Sequence, residues 1–105
     1  MEPHGKLVRD RIPKLISASG GSPSIRTLGP SERIPALLAK LGEESDELRD
    51  AVTPSDQTEE LADLLEVLLA LSSELDLAWP DIEAAAAQKR AERGSFSEGI
   101  WLNLG

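Results

Sequence analysis

The sequence predicts a mainly α-helical fold, an antiparallel bundle of about four helices. Leu (17) and Ala (12) dominate the apolar residues, while Val, Ile and the aromatics are few; that balance favours helix over strand. Apolar residues recur at three- and four-residue intervals along the later stretches, the period of one helix face. The connection between the two longest stretches is short, which makes the helices it joins antiparallel neighbours.

The first helix is expected to follow Asp10 as its N-cap and to run through Ile12, Leu15 and Ile16. Pro13 is tolerated in its first turn, and Gly20 stops it. Residues 20–30 read as a loop. Within it, 24–28 is the one stretch suited to an extended strand, and 100–104 is its expected partner in a minor two-stranded β element. The second helix begins near Ser31, with Pro35 in or near its first turn, and ends before Thr53 and Pro54. Its apolar stripe is Ile34, Leu37, Leu38, Leu41, Leu48 and Val52. The third begins near Ser55 or Asp56, where Asp56 and Glu59 have capping-box spacing, and runs to about Leu75. The fourth opens at Trp79 and Pro80, passes through the four alanines 84–87 and ends at Gly94.

At 105 residues the chain is read as a single domain over 1–105, long enough for one core and not two. The longest unbroken apolar run, residues 67–71, has five residues, whereas a membrane-spanning helix needs about 20; no membrane partner is expected. Lys6, Arg9, Arg11 and Lys14 are not followed by an apolar stretch of signal-peptide length, so a cytoplasmic setting is the default. Cysteine is absent, which removes disulfides, zinc-thiolate sites and thiol nucleophiles. His4 alone offers little to zinc. The net charge of −8 argues against a nucleic-acid partner, which calls for a basic surface to displace phosphate counterions.

The charge is concentrated. Between Glu43 and Glu66 lie ten acids and one base, Arg49, a net of −9 within 24 residues, while the rest of the chain is near neutral. Acidic runs are commonly solvated helix faces, so position on the helix decides. Stepping about 100° per residue from Ile34 puts the apolar stripe of helix two near 340°, Glu44 at about 280° and Glu47 at about 220°. Glu43 and Asp46 turn away, to roughly 180° and 120°. In helix three, counted from Leu61, the apolar residues spread over about 200°, which implies contacts on more than one side. Glu60 falls inside that arc and Asp63 at its edge.

Ionised carboxylates taken out of water cost several kcal/mol unless compensated. Glu44 with Glu47, and Glu60 with Asp63, are each i, i+3 pairs that project side by side, and facing helices bring the pairs together. Hard divalent cations such as Mg²⁺ prefer oxygen ligands and suit carboxylates plus a phosphate substrate. Rim salt bridges are the competing reading. On helix four, Lys89 and Arg93 share a face with Ile82, Ala85 and Ala86, as phosphate ligands or as basic side chains covering apolar surface. Lys6, Arg9 and Arg11 add positive charge near the other end.

Glu43-Glu44-Ser45-Asp46-Glu47 resembles the EExxE motif, and Glu60-Leu61-Ala62-Asp63 the ExxD motif, of the MazG-type all-alpha nucleoside triphosphate pyrophosphatases, whose relatives include phosphoribosyl-ATP pyrophosphohydrolases. Residues 6–13 (KLVRDRIP) are similar to the opening of a small single-domain branch, and 89–96 (KRAERGSF) to its KxxxRGxF ending. An ExxD alone signals little; all four in order are specific. The resemblance implies hydrolysis of a nucleotide between its α- and β-phosphates, giving a monophosphate and pyrophosphate. It implies Glu44, Glu47, Glu60 and Asp63 as the catalytic ligands of Mg²⁺, or Mn²⁺, which neutralises phosphate oxygens and activates water. Lys6, Arg9, Lys89 and Arg93 are the implied substrate-binding cations, and a homodimer or homotetramer the implied assembly. Glu43 is the candidate proton acceptor that the wheel disfavours, and no base is assigned. Gly42, within helix two, departs from a good helix former, as a close helix neighbour would explain. Phosphoribosyl-ATP hydrolysis is the alternative activity, and a non-catalytic helical oligomerisation module the alternative class.

Overall fold

The computed structural model describes residues 5–105; His4 lies outside them. The described chain is helical, in the order α1 (Ile12–Ala18), α2 (Pro30–Asp50), α3 (Pro54–Glu74) and α4 (Trp79–Arg93). Every helix carries a proline at one of its first two positions, where the missing N–H costs nothing and the fixed φ suits the helix.

The caps differ from the sequence expectation in two places. Asp10 does not cap α1; Arg11 stands at that position, without a side-chain bond. At α3 the cap is Thr53, whose Oγ1 accepts from the Asp56 backbone N–H at 3.1 Å, so Asp56 is a first-turn residue that complements the helix dipole. At α2, Glu32 accepts from the backbone N–H of Gly29 at 3.2 Å and takes a two-pronged contact from Arg26, at 3.2 and 2.9 Å. Arg26 and the Gly29 N–H hold the Glu32 carboxyl down at about 2. The helix stops follow expectation at Gly20 and Gly94, whose φ angles of 94° and 84° suit glycine.

No strand is present among the described residues, and the expected pairing of 24–28 with 100–104 is not made. The physical reason lies in where each segment's groups go. The first segment lies against the N-terminal stretch and α2, anchored by Arg26 on Glu32. The second is exposed, with Ile100, Trp101, Leu102 and Leu104 each more than 70% accessible, and no backbone hydrogen bond joins the two.

Helices α2 and α3 form the core of the molecule, an antiparallel hairpin closed by residues 51–53. Leu37, Val67 and Leu71 are buried between them, with Leu7, Ile34, Leu41 and Ala70 packed around. Arg33 of α2 reaches Glu74 of α3 at 3.4 Å, tying the open end of the hairpin. Only one side of the wide apolar arc of α3 is covered; Leu61, Leu65, Leu68 and Leu75 remain 42–56% exposed. Helix α4 meets α3 over a small contact and buries no residue. Gly42 does not admit a close neighbour within the chain, since a Cβ there would meet nothing within 4 Å. No described helix is long and apolar enough to cross a membrane.

Candidate metal and phosphate site

The hairpin positions the site. Counting from Val52 in the turn, Glu44 lies eight residues before and Glu60 eight after, so antiparallel helices place both about 12 Å from the bend, facing each other. Glu47 and Asp63 follow at i+3 on their helices. The four carboxylates converge, each offering an oxygen within 4.8 Å of the others.

Burial makes this more than an acidic surface. Glu44 is only 5% exposed, and its Oε2, like Oε2 of Glu60, is buried without a hydrogen-bond partner. Burial, then hydrogen bonding with Glu47 and Glu44, then the charges of Glu47 and Asp63, raise the Glu60 carboxyl to about 7. The Glu44 carboxyl is also raised, by burial first and then by the Glu47 charge, with the Glu60 hydrogen bond opposing. Two buried acceptor oxygens with no donor, inside a group of like charges, fit a hard divalent cation, which supplies charge and accepts oxygen ligands. Glu43, by contrast, turns out onto Lys40 at 3.3 Å, as its wheel position requires.

The expected cations divide into two groups. Lys6 and Arg9 line an open cleft of about 1080 Å³ that Glu44 and Asp63 also line. Arg9 donates from Nη2 to Asp63 Oδ1 at 2.6 Å and lies 3.8 Å from Glu66 Oε1. Arg11 lines the same cleft. Lys89 and Arg93, on exposed α4, neither line the cleft nor pair with an acid of the hairpin. Sequence reasoning missed Lys40, whose Nζ sits 3.5 Å from Glu44 Oε1 with the side chain 21% exposed. Burial works to lower its pKa, but Glu43 and Glu44 outweigh it and raise the ammonium's pKa. The signal was available: the same count from Ile34 puts Lys40 at about 240°, between Glu44 and Glu47.

Comparison with known proteins bears on what these groups do. An uncharacterized protein of Mycolicibacterium smegmatis (strain ATCC 700084 / mc(2)155) is 62% identical over 48 residues, 46% of this chain and 49% of that protein; the match spans about half the length of the relative. No solved structure matches. The family model described as phosphoribosyl-ATP pyrophosphohydrolase matches residues 23–90, a span that contains all four carboxylates and Lys40 and excludes Lys6, Arg9 and Arg93. The family points to a pyrophosphohydrolase acting on a nucleotide, typically with a divalent metal. By that match the chain belongs to the phosphoribosyl-ATP pyrophosphohydrolase family, within the MazG-like all-alpha nucleoside triphosphate pyrophosphatases.

Proposed function

We propose that the protein hydrolyses a nucleoside triphosphate between the α- and β-phosphates, giving the monophosphate and pyrophosphate, in a Mg²⁺- or Mn²⁺-dependent reaction. One observation carries the reading: four carboxylates from two helices meet within 4.8 Å, with two buried oxygens unpartnered, beside a cation-lined cleft. Glu44, Glu47, Glu60 and Asp63 would hold the metal. When bound, it would neutralise phosphate oxygens and lower the pKa of a coordinated water. The chain's own part is orientation and charge. Rigid helices fix the four carboxylates, while Arg9 and Lys6 stand where they can bind polyphosphate oxygens through charge-assisted hydrogen bonds. Residues 1–105 act as one unit, in the cytoplasm, on nucleotides surplus or damaged.

The same reading includes assembly into a homodimer or homotetramer. The accessible surface is 8876 Å², against about 5,700 Å² for a compact chain of this mass. The radius of gyration is 17.4 Å, against about 13 Å. Association would cover the open arc of α3, and it is the route by which Lys89 and Arg93 would reach a polyphosphate.

The test is pyrophosphate release from a panel of standard and modified nucleoside triphosphates and phosphoribosyl-ATP, with Mg²⁺, beside Glu60→Ala. Metal-dependent release that disappears in the variant is the expected result, and the preferred substrate names the nucleotide. A folded protein that turns over nothing on the panel would leave the non-catalytic module as the better account.

A further inference from the structure

Two cations already rest on the four-acid cluster, one on each helix's contribution. Arg9 holds Asp63 Oδ1 at 2.6 Å, and Lys40 lies 3.5 Å from Glu44 Oε1. Each also reaches a second acid outside the cluster, Arg9 to Glu66 at 3.8 Å and Lys40 to Glu43 at 3.3 Å. Both cations line the same cleft as Glu44 and Asp63. Such an arrangement offsets part of the cluster's negative charge without metal, because like-charged carboxylates this close repel strongly unless positive charge lies beside them. A divalent ion at the cluster would draw on the same Glu44 and Asp63 carboxylates that Lys40 and Arg9 hold, and would compete with both cations for them. A displaced cation would still have its outer acid, Glu66 for Arg9 and Glu43 for Lys40, at a cleft that has room for polyphosphate.

We propose that Arg9 and Lys40 are exchangeable counter-ions: divalent metal releases them from Asp63 and Glu44, and they then bind the nucleotide's phosphates, so that metal loading prepares substrate binding. This rests on the metal reading above and adds to it a phosphate-binding role for Lys40 and a change of partner for Arg9. The exchange makes opposite demands on one side chain. Removing either cation should strengthen metal binding and weaken phosphate binding, a pair of effects that loss of a merely structural contact would not produce.

The experiment is isothermal titration of the full chain with Mg²⁺ alone, then with inorganic pyrophosphate at saturating Mg²⁺. It compares the wild type, Arg9→Gln, Lys40→Gln and, as a control for net charge, Arg49→Gln, whose partner Asp46 lies outside the cluster. Arg9→Gln and Lys40→Gln should bind Mg²⁺ about three- to fivefold more tightly, the scale of an exposed ion pair. They should bind pyrophosphate roughly tenfold more weakly, the scale of one charged hydrogen bond. Arg49→Gln should match the wild type in both. Mg²⁺ affinity in both cluster variants no higher than in Arg49→Gln, or pyrophosphate affinity unchanged in both, would overturn the exchange while leaving the metal site standing. A wild-type chain that takes up no Mg²⁺ would overturn the metal reading and the exchange with it. Melting curves confirm that each variant is folded; Arg9 is half exposed and belongs to no helix.

Discussion

The α2–α3 hairpin and the flanking parts of the chain are built on different terms. Among the described residues, the hairpin holds every buried apolar residue, Ala36, Leu37, Val67 and Leu71, and all four clustered carboxylates. Helix α4 and the segment after it bury no side chain, and leave Phe96 fully exposed and Trp101 86% exposed. A helical hairpin is fixed by local signals: an apolar stripe, a proline, a cap and a short turn. The flanks have the composition of a packed segment without a surface within the chain to pack on. Site construction and fold completion are therefore separable in this protein, and substitutions can probe each.

The largest effect is expected at the site. Glu60→Ala should lower metal-dependent pyrophosphate release at least about a hundredfold, the scale of losing one preorganised electrostatic group. Its metal-free melting temperature should stay level or rise, since repulsion among the acids is relieved. A severe loss of metal-free stability would instead make Glu60 part of the framework. Next comes the core: Leu71→Ala should cost about 2–4 kcal/mol in urea unfolding, against about 0.5 kcal/mol or less for Leu102→Ala. A large, concentration-dependent cost at Leu102 would show that a second copy covers the C-terminal segment. Thr53→Ala, which removes the α3 cap, should cost about 1 kcal/mol. Gly42→Ala should stabilise by roughly 0.5–1 kcal/mol, because α2 has open space there; destabilisation would mean that another chain approaches Gly42 closely.

The smallest effect is a slope with pH. Glu60 is raised to about 7 in the folded protein from 4.5, so between these values the folded state holds more protons than the unfolded one, and stability falls as pH rises. Metal-free melting temperature should decline from pH 5 to 7.5 and then level, and Glu60→Gln should flatten that decline relative to the wild type. A wild-type curve that rises through the same window, with the variant following it, would show that Glu60 is ionised throughout.

Much of the hairpin and the convergence of its acids could be read from the residues alone. Helix periodicity located Glu44, Glu47, Glu60 and Asp63 on the flanks of the apolar stripes, because the period of an α-helix is fixed and the connection is short. The same arithmetic turned Glu43 away, and Glu43 lies on Lys40. What was not legible depends on long-range packing. The 24–28 and 100–104 segments carry strand-like composition, but a β pair needs two segments brought together, and Arg26 is committed to Glu32 while the C-terminal segment stays apart. Lys89 and Arg93 lie on α4, whose light contact with α3 leaves neither of them paired with an acid of the hairpin. The α3 cap lies three residues before the expected Asp56, since Thr53 and Asp56 both carry capping oxygens and only geometry chooses between them.

Of the ten acids between Glu43 and Glu66, four are proposed to hold a divalent ion. The most direct measurement is the Mg²⁺-induced shift in melting temperature for the wild type, Glu60→Ala and Glu59→Ala, adjacent acids of which only Glu60 belongs to the cluster. Binding to the folded state raises the melting temperature by mass action. The wild type and Glu59→Ala should therefore shift upward together, and Glu60→Ala should not. Equal shifts in all three would place the ion away from Glu60, and no shift in the wild type would mean that the four acids hold no Mg²⁺.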